Sequence, residues 1–487
     1  MSVPPGTIEG VLAVLPMSGD RLSWRRLGLP CSATMRLPVL TTLLVLAAPN
    51  AFAQKQEVPR TLPVGKLMAP AGMPEPRTIG PTGSLGPDVY RRRRKAVMDK
   101  LPTGATLVVN EARFEGLREG MDFYYLTGID EPGAALLLDP AAPLPEVLFL
   151  RPLDVEEGRY DGERAMVPSQ ALEAASGLAR IVRTTKLPGV LLAACAHGGL
   201  NFVGDFVPVP KPKPKVMQAY ADTLDRSYGC KVNDLHGTLG RMREVKELGE
   251  LKLMRRAIEH TAAGHARILE VLKPGIHEFE LKGAVEEAFR HSGARHVAYD
   301  SIVGSGPNGA VLHYPNDDRT IRDGELVVVD AGAEEQFYAT DVTRTYPVSG
   351  TFTPEQREIY DLVLRAQAAG IAAAKPGVTT RTLDQVVRKV IDDAGYHDAF
   401  VHGCCHFVGL EVHDAGDYEA PLPAGAVVTI EPGIYLPQHG FGVRIEDEIL
   451  ITANGAEVLT RAVPKDPDEI ERRMRNRAKA PPRPGPP

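Results

Sequence analysis

Residues 326–350 read LVVVDAGAEEQFYATDVTRTYPVSG. Leu326 opens a short apolar run through Val327, Val328 and Val329, rich in β-branched residues, which is the composition of a buried strand. Asp330 closes the run, and Ala331-Gly332 with the polar residues behind them can turn the chain. A second strand, about ATDVTRTYPV, then returns and brings Asp341 with it. In a hairpin the two carboxylates can face each other across neighbouring strands on one side. Facing carboxylates repel unless a shared proton or a positive centre lies between them, and a divalent cation meets that need. Taken alone, the pattern is equally compatible with ordinary turn chemistry at a strand end.

Two further clusters lie downstream. VHGCCHFVGLEVHDAG, 401–416, brings His402, His406 and His413 close together in the chain. A histidine pair four apart can share a helix face, and neutral imidazole is a good ligand for first-row metals as well as a general acid or base. VVTIEPGIYLPQHGFGVRIEDEILIT, 427–452, places Glu431 after an apolar strand and Glu446 inside a second strand that otherwise wants apolar residues. A buried carboxylate is costly unless paired or metal-bound. Arg444 could neutralise one of these glutamates instead. Together the clusters supply Asp330, Asp341, His406, Glu431 and Glu446, a donor set suited to two hard or borderline ions such as Mn²⁺, Co²⁺ or Zn²⁺. A pair of such ions roughly 3.5 Å apart activates water and steadies a tetrahedral intermediate. The sequence has no GxxxxGK[ST] loop and no HExxH, so nothing points to nucleotide chemistry or to a zincin site.

These strings, LVVVDAGAEEQFYATDVTRTYPVSG, HGCCHFVGLEVHD, TIEPGIY and GVRIEDEILIT, resemble the pita-bread metallopeptidases, the group of methionine aminopeptidase, prolidase and Xaa-Pro aminopeptidase. The resemblance implies that Asp330, Asp341, His406, Glu431 and Glu446 are the metal ligands, with Asp341 and Glu446 bridging. It implies a substrate-binding role for His313, in SIVGSGPNGAVLHY. It gives His402 and His413 contacts to substrate and to the reacting centre, and it places Arg444 next to the bridging glutamate. Upstream, YRRRRKAVMDKLPTGATLVVN and MDFYYLTGIDEPGAALLLD resemble the N-terminal domain of Xaa-Pro aminopeptidases, which methionine aminopeptidases usually lack. GAEVLTRAVPKDPDEIE resembles their closing segment. LREGMDFYYLTG lacks the Arg-Gln-x-Ser lead often found there, which leaves the first domain's own contacts open.

The fold expected is an α/β N-terminal domain, 90–238, followed by an α+β pita-bread catalytic domain, 239–473. Short apolar strands alternating with helical segments support the first as a layered structure. MREVKELGELKLMRRAIEHTAAGHARILEVL reads as one long amphipathic helix, and the helices of 354–395 echo the pair that starts there, suggesting two similar halves. Residues 54–89 read as a flexible lead-in and 474–487 as a disordered tail. Residues 35–53, MRLPVLTTLLVLAAPNAFA, have the shape of a secretory signal peptide ending at a small-x-small site, inside an upstream segment 1–53 without other meaning. The run is too short to be a comfortable membrane span. A secreted or periplasmic enzyme follows, or a cytoplasmic one if 35–53 is not a signal.

The 487 residues carry 56 Lys plus Arg against 62 Asp plus Glu, a net charge of -6 that argues against a dedicated nucleic-acid binder. The RRRR run at 91–94 reads as a solvated helix face. Five cysteines in so long a chain are no disulfide scaffold. Cys195 and Cys230 could pair, and Cys404 and Cys405 read as core. The reaction these features imply is metal-dependent removal of an N-terminal residue that precedes proline, with Mn²⁺ the first choice of ion. His413 is the histidine expected to steady the oxyanion, and Glu431 or a neighbouring carboxylate is expected to shuttle the proton. Proline-containing peptides are the partners and a homo-oligomer, dimer or tetramer, the expected assembly. Xaa-Pro dipeptidase (prolidase) is the nearest alternative, and a non-catalytic binding module of the same fold a remote one.

Overall fold

The computed structural model describes residues 85–477, apart from 102, 111–120, 153–166, 168, 197, 204–224 and 227–228. Every described residue belongs to one compact unit. The signal-like segment at 35–53 and the VPVPKPKPK run at 207–215 lie outside the described residues.

Helix α1 (Pro87–Lys100) starts with Pro in its first turn, where the missing N–H would have had no partner. It buries Tyr90 and Val97, and with them Arg93 and Arg94. The expected solvated basic face is therefore wrong for half of the RRRR run. Arg94 donates to the Leu126 and Ser176 carbonyls at 3.0 Å and pairs with Glu146 at 3.1 Å. Arg93 lies 3.9 Å over the Tyr125 ring and pairs with Glu250 at 3.0 Å. Their acceptors are far away in sequence, so the run itself carries no sign of them.

Strand β1 (Ala105–Val109) is the hub of the first sheet. After α2 (Asp122–Thr127) come β2 (Ala135–Leu138), β3 (Glu146–Leu150), α3 (Gln170–Ser176), β4 (Ile181–Arg183), α4 (Leu187–Ala196), β5 (Leu200–Val203) and β6 (Val232–Asp234). The sheet order is β4-β3-β2-β1-β5-β6, with β2 antiparallel to both neighbours and the β1–β5, β5–β6 and β3–β4 pairs parallel. Helices pack around a sheet of near-continuous apolar strands, as layered α/β structure requires. Cys195, at the end of α4, forms a disulfide with Cys230, closing a 35-residue separation.

Helix α5 (His236–Glu244) and helix α6 (Leu248–Val271) occupy the stretch expected to be one long helix. The break falls at Val245, which makes a β-bridge to Ala426, while the Lys246 amide donates to the Gly425 carbonyl at 2.9 Å. Glu247 restarts the helix through a reciprocal capping box with Glu250. Helix α7 (Glu278–Ser292) packs on α6 where Gly264 admits the Phe289 ring.

Next come β7 (Ile302–Ser305), β8 (Leu326–Asp330), β9 (Glu334–Glu335), β10 (Tyr338–Ala339) and β11 (Thr343–Pro347). Strand β8 lies between β7 and β11, antiparallel to both. The β9–β10 hairpin turns on Gln336 and Phe337, both at positive φ, 50° and 72°. Phe337 packs edge-on against Tyr124 of α2, ring centroids 4.6 Å apart. Helices α8 (Pro354–Ala373) and α9 (Thr380–Asp393) form the second helix pair and share one apolar core with α6 and α7. Cys404 is buried in that core and Cys405 packs against it.

The chain ends with β12 (Val427–Ile430), β13 (Gly433–Leu436), β14 (Phe441–Arg444), β15 (Asp447–Thr452), β16 (Gly455–Val458) and α10 (Pro467–Arg477). Strand β15 sits between β12 and β16, and β13 pairs with β14. Helix α10 runs past the expected boundary at 473 and buries Met474, so the first residues assigned to a disordered tail are helical. Among the described residues, no helix is long and apolar enough to cross a membrane.

Candidate metal centre

Asp330 ends β8, where it stands in register with Thr343 of β11. Asp341 lies just before β11, in the link from the β9–β10 hairpin, not in a returning strand as expected. Its backbone amide donates to Glu448 Oε1 at 2.6 Å, which fixes the link to β15. Glu446 occupies the gap between β14 and β15, the point where the chain leaves one sheet for another. The expectation of one continuous strand through Glu446 is therefore wrong, and the gap aims the carboxylate inward. Glu431 follows β12, its amide held by the Cys404 carbonyl at 2.9 Å. The histidine segment is an irregular loop, so His402 and His406 do not share a helix face.

Asp341, His406 and Glu446 each present a ligand atom, and these atoms lie within 4.8 Å of one another. His406 Nε2 is 3.4 Å from Asp341 Oδ2, 3.4 Å from Glu431 Oε1 and 3.9 Å from Glu446 Oε1. Its Nδ1 donates to the Phe407 carbonyl at 3.1 Å. That bond fixes the neutral tautomer with its Nε2 lone pair facing three carboxylates, an arrangement that calls for a cation between them. Without one the ring must protonate: burial alone would lower its pKa, but Asp341 and Glu431 outweigh burial and hold it at about 9.

The carboxylates give the same reading. Burial and the repulsion of Asp341, Glu431 and Asp330 push the Glu446 carboxyl well above its usual range. Burial, then Asp341, raises Asp330 against the opposing Arg444. Glu431 is pushed up to about 7 by burial, with His406 opposing. Glu446 Oε2 accepts from Thr343 Oγ1 at 2.7 Å, whereas buried Glu446 Oε1 has no hydrogen-bond partner among the described residues. A buried oxygen left unpaired is expensive. An orphan carboxylate oxygen, a lone pair aimed at acids and a crowd of buried carboxylates fit divalent ions well.

The remaining site residues surround this cluster. Arg444 donates to Asp330 Oδ2 at 2.6 Å, to Thr343 Oγ1 at 3.0 Å and to Tyr435 Oη at 3.1 Å. It neutralises Asp330, not either glutamate. His402 Nδ1 donates to the Gly403 carbonyl at 2.8 Å, leaving Nε2 to accept from Tyr435 Oη at 2.8 Å. Burial lowers the His402 pKa to about 4. The His413 ring stands edge-on to His406, centroids 4.3 Å apart, and burial followed by His406 lowers its pKa to about 4. His313 is exposed at the rim, next to Leu312, whose carbonyl accepts from Arg444 Nη1 at 3.5 Å.

Several contributors escape the sequence reading. Tyr299 Oη lies 2.5 Å from Asp330 Oδ1 and 2.6 Å from Asp341 Oδ1, where its one proton can hold the two acids together. Tyr435 links Arg444 to His402. Glu448, buried beside Asp341, is pushed up to about 8 by burial. Tyr435 and Glu448 belong to strings already singled out, but a tyrosine in an apolar strand reads as core.

Comparison with known proteins agrees with this geometry. The profile of metallopeptidase family M24 matches residues 252–453, and that of the aminopeptidase P N-terminal domain matches residues 90–199. The Xaa-Pro aminopeptidase of Haemophilus influenzae is 34% identical over 436 residues, covering 80% of this chain and 98% of that protein. The Xaa-Pro dipeptidase of Pyrococcus furiosus is 42% identical over 224 residues, covering 45% of this chain and 64% of that protein. A single-substitution variant of Escherichia coli aminopeptidase P, solved in complex with substrate, superposes with a TM-score of 0.71 at 32% identity, covering 82% of this chain and 100% of that one. The chain belongs to metallopeptidase family M24, in the branch that carries the aminopeptidase P N-terminal domain in front of the catalytic one.

Proposed function

We propose that this metal-dependent exopeptidase removes the first residue of peptides whose second residue is proline. The observation that carries the reading is the cluster of Asp341, His406 and Glu446 around the orphan Glu446 oxygen. Likeness to Xaa-Pro aminopeptidases along both halves of the chain supports it, whereas the likeness to the dipeptidase is limited to 45% of the chain.

Asp330, Asp341, His406, Glu431 and Glu446 would hold two divalent ions. The oxygen-rich donor set favours Mn²⁺, with Co²⁺ or Zn²⁺ as alternatives. When bound, such ions polarise the scissile carbonyl and make water a nucleophile at neutral pH. Glu431 accepts the proton of the attacking water and passes it to the leaving proline nitrogen. His413 donates to the oxygen that becomes negative in the tetrahedral intermediate. His402 and His313 line the approach of the substrate, and Arg444 orients Asp330 and favours its ionised form. The surrounding acids also favour a free α-amino group at the start of the peptide, which gives removal of one residue from that end.

Export from the cytoplasm fits the Cys195–Cys230 disulfide, since such bonds persist in oxidising compartments. N-terminal sequencing of the enzyme recovered from outside the cytoplasm checks this; a start at Gln54 is expected.

The test of the activity is hydrolysis of Xaa-Pro-Xaa tripeptides and Xaa-Pro dipeptides after metal stripping and restoration with Mn²⁺, Co²⁺ or Zn²⁺. Metal-dependent release of the first residue from the tripeptides establishes the reading. Cleavage confined to dipeptides replaces it with prolidase activity, and no cleavage with any ion removes it.

A further inference from the structure

Behind the metal centre lies a second buried ionic cluster that the proposed chemistry does not use. Arg243, in the last turn of α5, donates to Asp122 Oδ1 at 2.9 Å, to Glu411 Oε1 at 2.9 Å and to Asp414 Oδ1. Lys246, at the break between α5 and α6, donates to Asp414 Oδ2 at 2.8 Å and to the Arg243 carbonyl at 2.6 Å. The Met121 amide donates to Glu411 Oε1 at 3.1 Å. Arg243, Lys246, Asp122 and Asp414 are almost inaccessible to water. Asp122 and Met121 belong to the N-terminal domain, while Glu411 and Asp414 flank His413.

Buried ion pairs contribute little net stability over an apolar packing of the same volume, because desolvation offsets their attraction. Their geometric demands are strict, so such a cluster serves best to fix a position. The backbone here shows what is fixed. The Asp414 amide donates to the Phe407 carbonyl at 2.8 Å, and the same carbonyl accepts from His406 Nδ1 at 3.1 Å. The loop 407–414 thus closes on the atom that sets the tautomer of His406. Gly409 has no side chain to spare there, because a Cβ would stand 2.1 Å from Asp414 Oδ2. Among the described residues no hydrogen bond holds the His413 ring, so its place over His406 is set by its backbone, and the backbone by Asp414. The α5–α6 break has its use here as well, since it lets Lys246 leave the helical path and reach Asp414.

We propose that Arg243, Lys246 and Asp122 are positioning residues for His413, and that the N-terminal domain acts on turnover through them. The proposal rests on the reading of His413 as the group that steadies the oxyanion. Loosening the cluster shifts His413 away from the developing charge while leaving the metal ligands and the substrate approach in place. Misplacing a catalytic group by about 1 Å costs on the order of 100-fold in rate.

The experiment compares the full-length Mn²⁺-loaded enzyme with Asp122→Asn, Arg243→Lys and Lys246→Gln on an Xaa-Pro-Xaa tripeptide, each alone and combined with His413→Ala. The expected result is a fall in kcat of about 10- to 100-fold, with KM and bound Mn²⁺ unchanged. In the His413→Ala background the same substitutions should change kcat less than about twofold, because groups that act through one another are non-additive. Should Arg243→Lys fail to fold, Asp122→Asn, which keeps shape and volume, carries the comparison. Full additivity with His413→Ala, an unchanged kcat, or a loss of Mn²⁺ parallel to the loss of rate overturns the proposal while tripeptide cleavage by the parent enzyme leaves the activity standing. A parent enzyme that cleaves no Xaa-Pro peptide overturns both.

Discussion

Arg444 Nη2 lies 2.6 Å from Asp330 Oδ2, and this ion pair is the hinge between the metal cluster and the substrate side of the site. The same guanidinium reaches Thr343, which holds Glu446, and Tyr435, which holds His402. A planar fork can serve these directions at once and a lysine ammonium cannot. Arg444→Lys should lower kcat/KM by about 10- to 100-fold and weaken metal binding to a similar degree. Calorimetric titration of Mn²⁺ beside tripeptide kinetics checks both, and a variant with parental affinity and rate would reduce Arg444 to a structural cation.

Asp341 and Glu446 stand at the centre of the cluster, with Glu446 Oε1 unpaired. Asp341→Ala and Glu446→Ala should each lose at least one bound ion per chain and about 1,000-fold or more in kcat. Metal analysis after gel filtration, paired with tripeptide hydrolysis, reads both quantities. Retained activity in either variant would sink the two-ion account.

His265 supplies a pH dependence away from the site. Burial lowers its pKa to about 3, and its Nδ1 is paired with Tyr346 Oη at 2.9 Å. The folded protein keeps the ring neutral while the unfolded chain takes up a proton near pH 6.5. Stability from this residue is therefore intact above pH 6.5 and lost as pH falls from 6.5 toward 3, at about 1.4 kcal/mol per pH unit. Urea unfolding of the parent and of His265→Gln at pH 7 and pH 5 should show the parent losing more between the two. Parallel losses would mean that the ring protonates in the folded state.

Gly264 lets α6 and α7 approach. A Cβ there would stand 2.2 Å from Phe289 Cε1. Gly264→Ala should destabilise the protein by about 1–3 kcal/mol through overpacking. Thermal unfolding checks this, and adding Phe289→Leu should restore part of the loss. An unchanged midpoint would mean that the ring has room to move.

The chemistry of the site is more legible in the sequence than its scaffold is. Asp330, Asp341, His406 and Glu446 stand out because acids and imidazoles interrupt apolar runs, and the structure brings them together. The short β9–β10 hairpin between Asp330 and Asp341 is hidden because AEEQFYA is too brief for alternation to register. The gap at Glu446 is hidden because IEDE keeps strand-like neighbours on both sides. Val245 breaks a helix without Gly or Pro, and only the Glu247–Glu250 spacing marks the restart. Arg93 and Arg94 mislead for a different reason: what decides their burial is Glu250 and Glu146, which no local pattern connects to them.

Phe337 bears on how such enzymes can be recombined. A non-glycine side chain at a φ of 72° costs roughly 1–2 kcal/mol, and its edge-on contact with Tyr124 lies across the boundary between the two halves of the chain. The catalytic half thus carries a turn whose unfavourable backbone is offset in part by an aromatic contact with the N-terminal half. A chimera that joins residues 239–477 to a first domain without an aromatic side chain at the position of Tyr124 would inherit the cost without that contact. Exchange of first domains between relatives should therefore keep Tyr124 and Phe337 together as a pair.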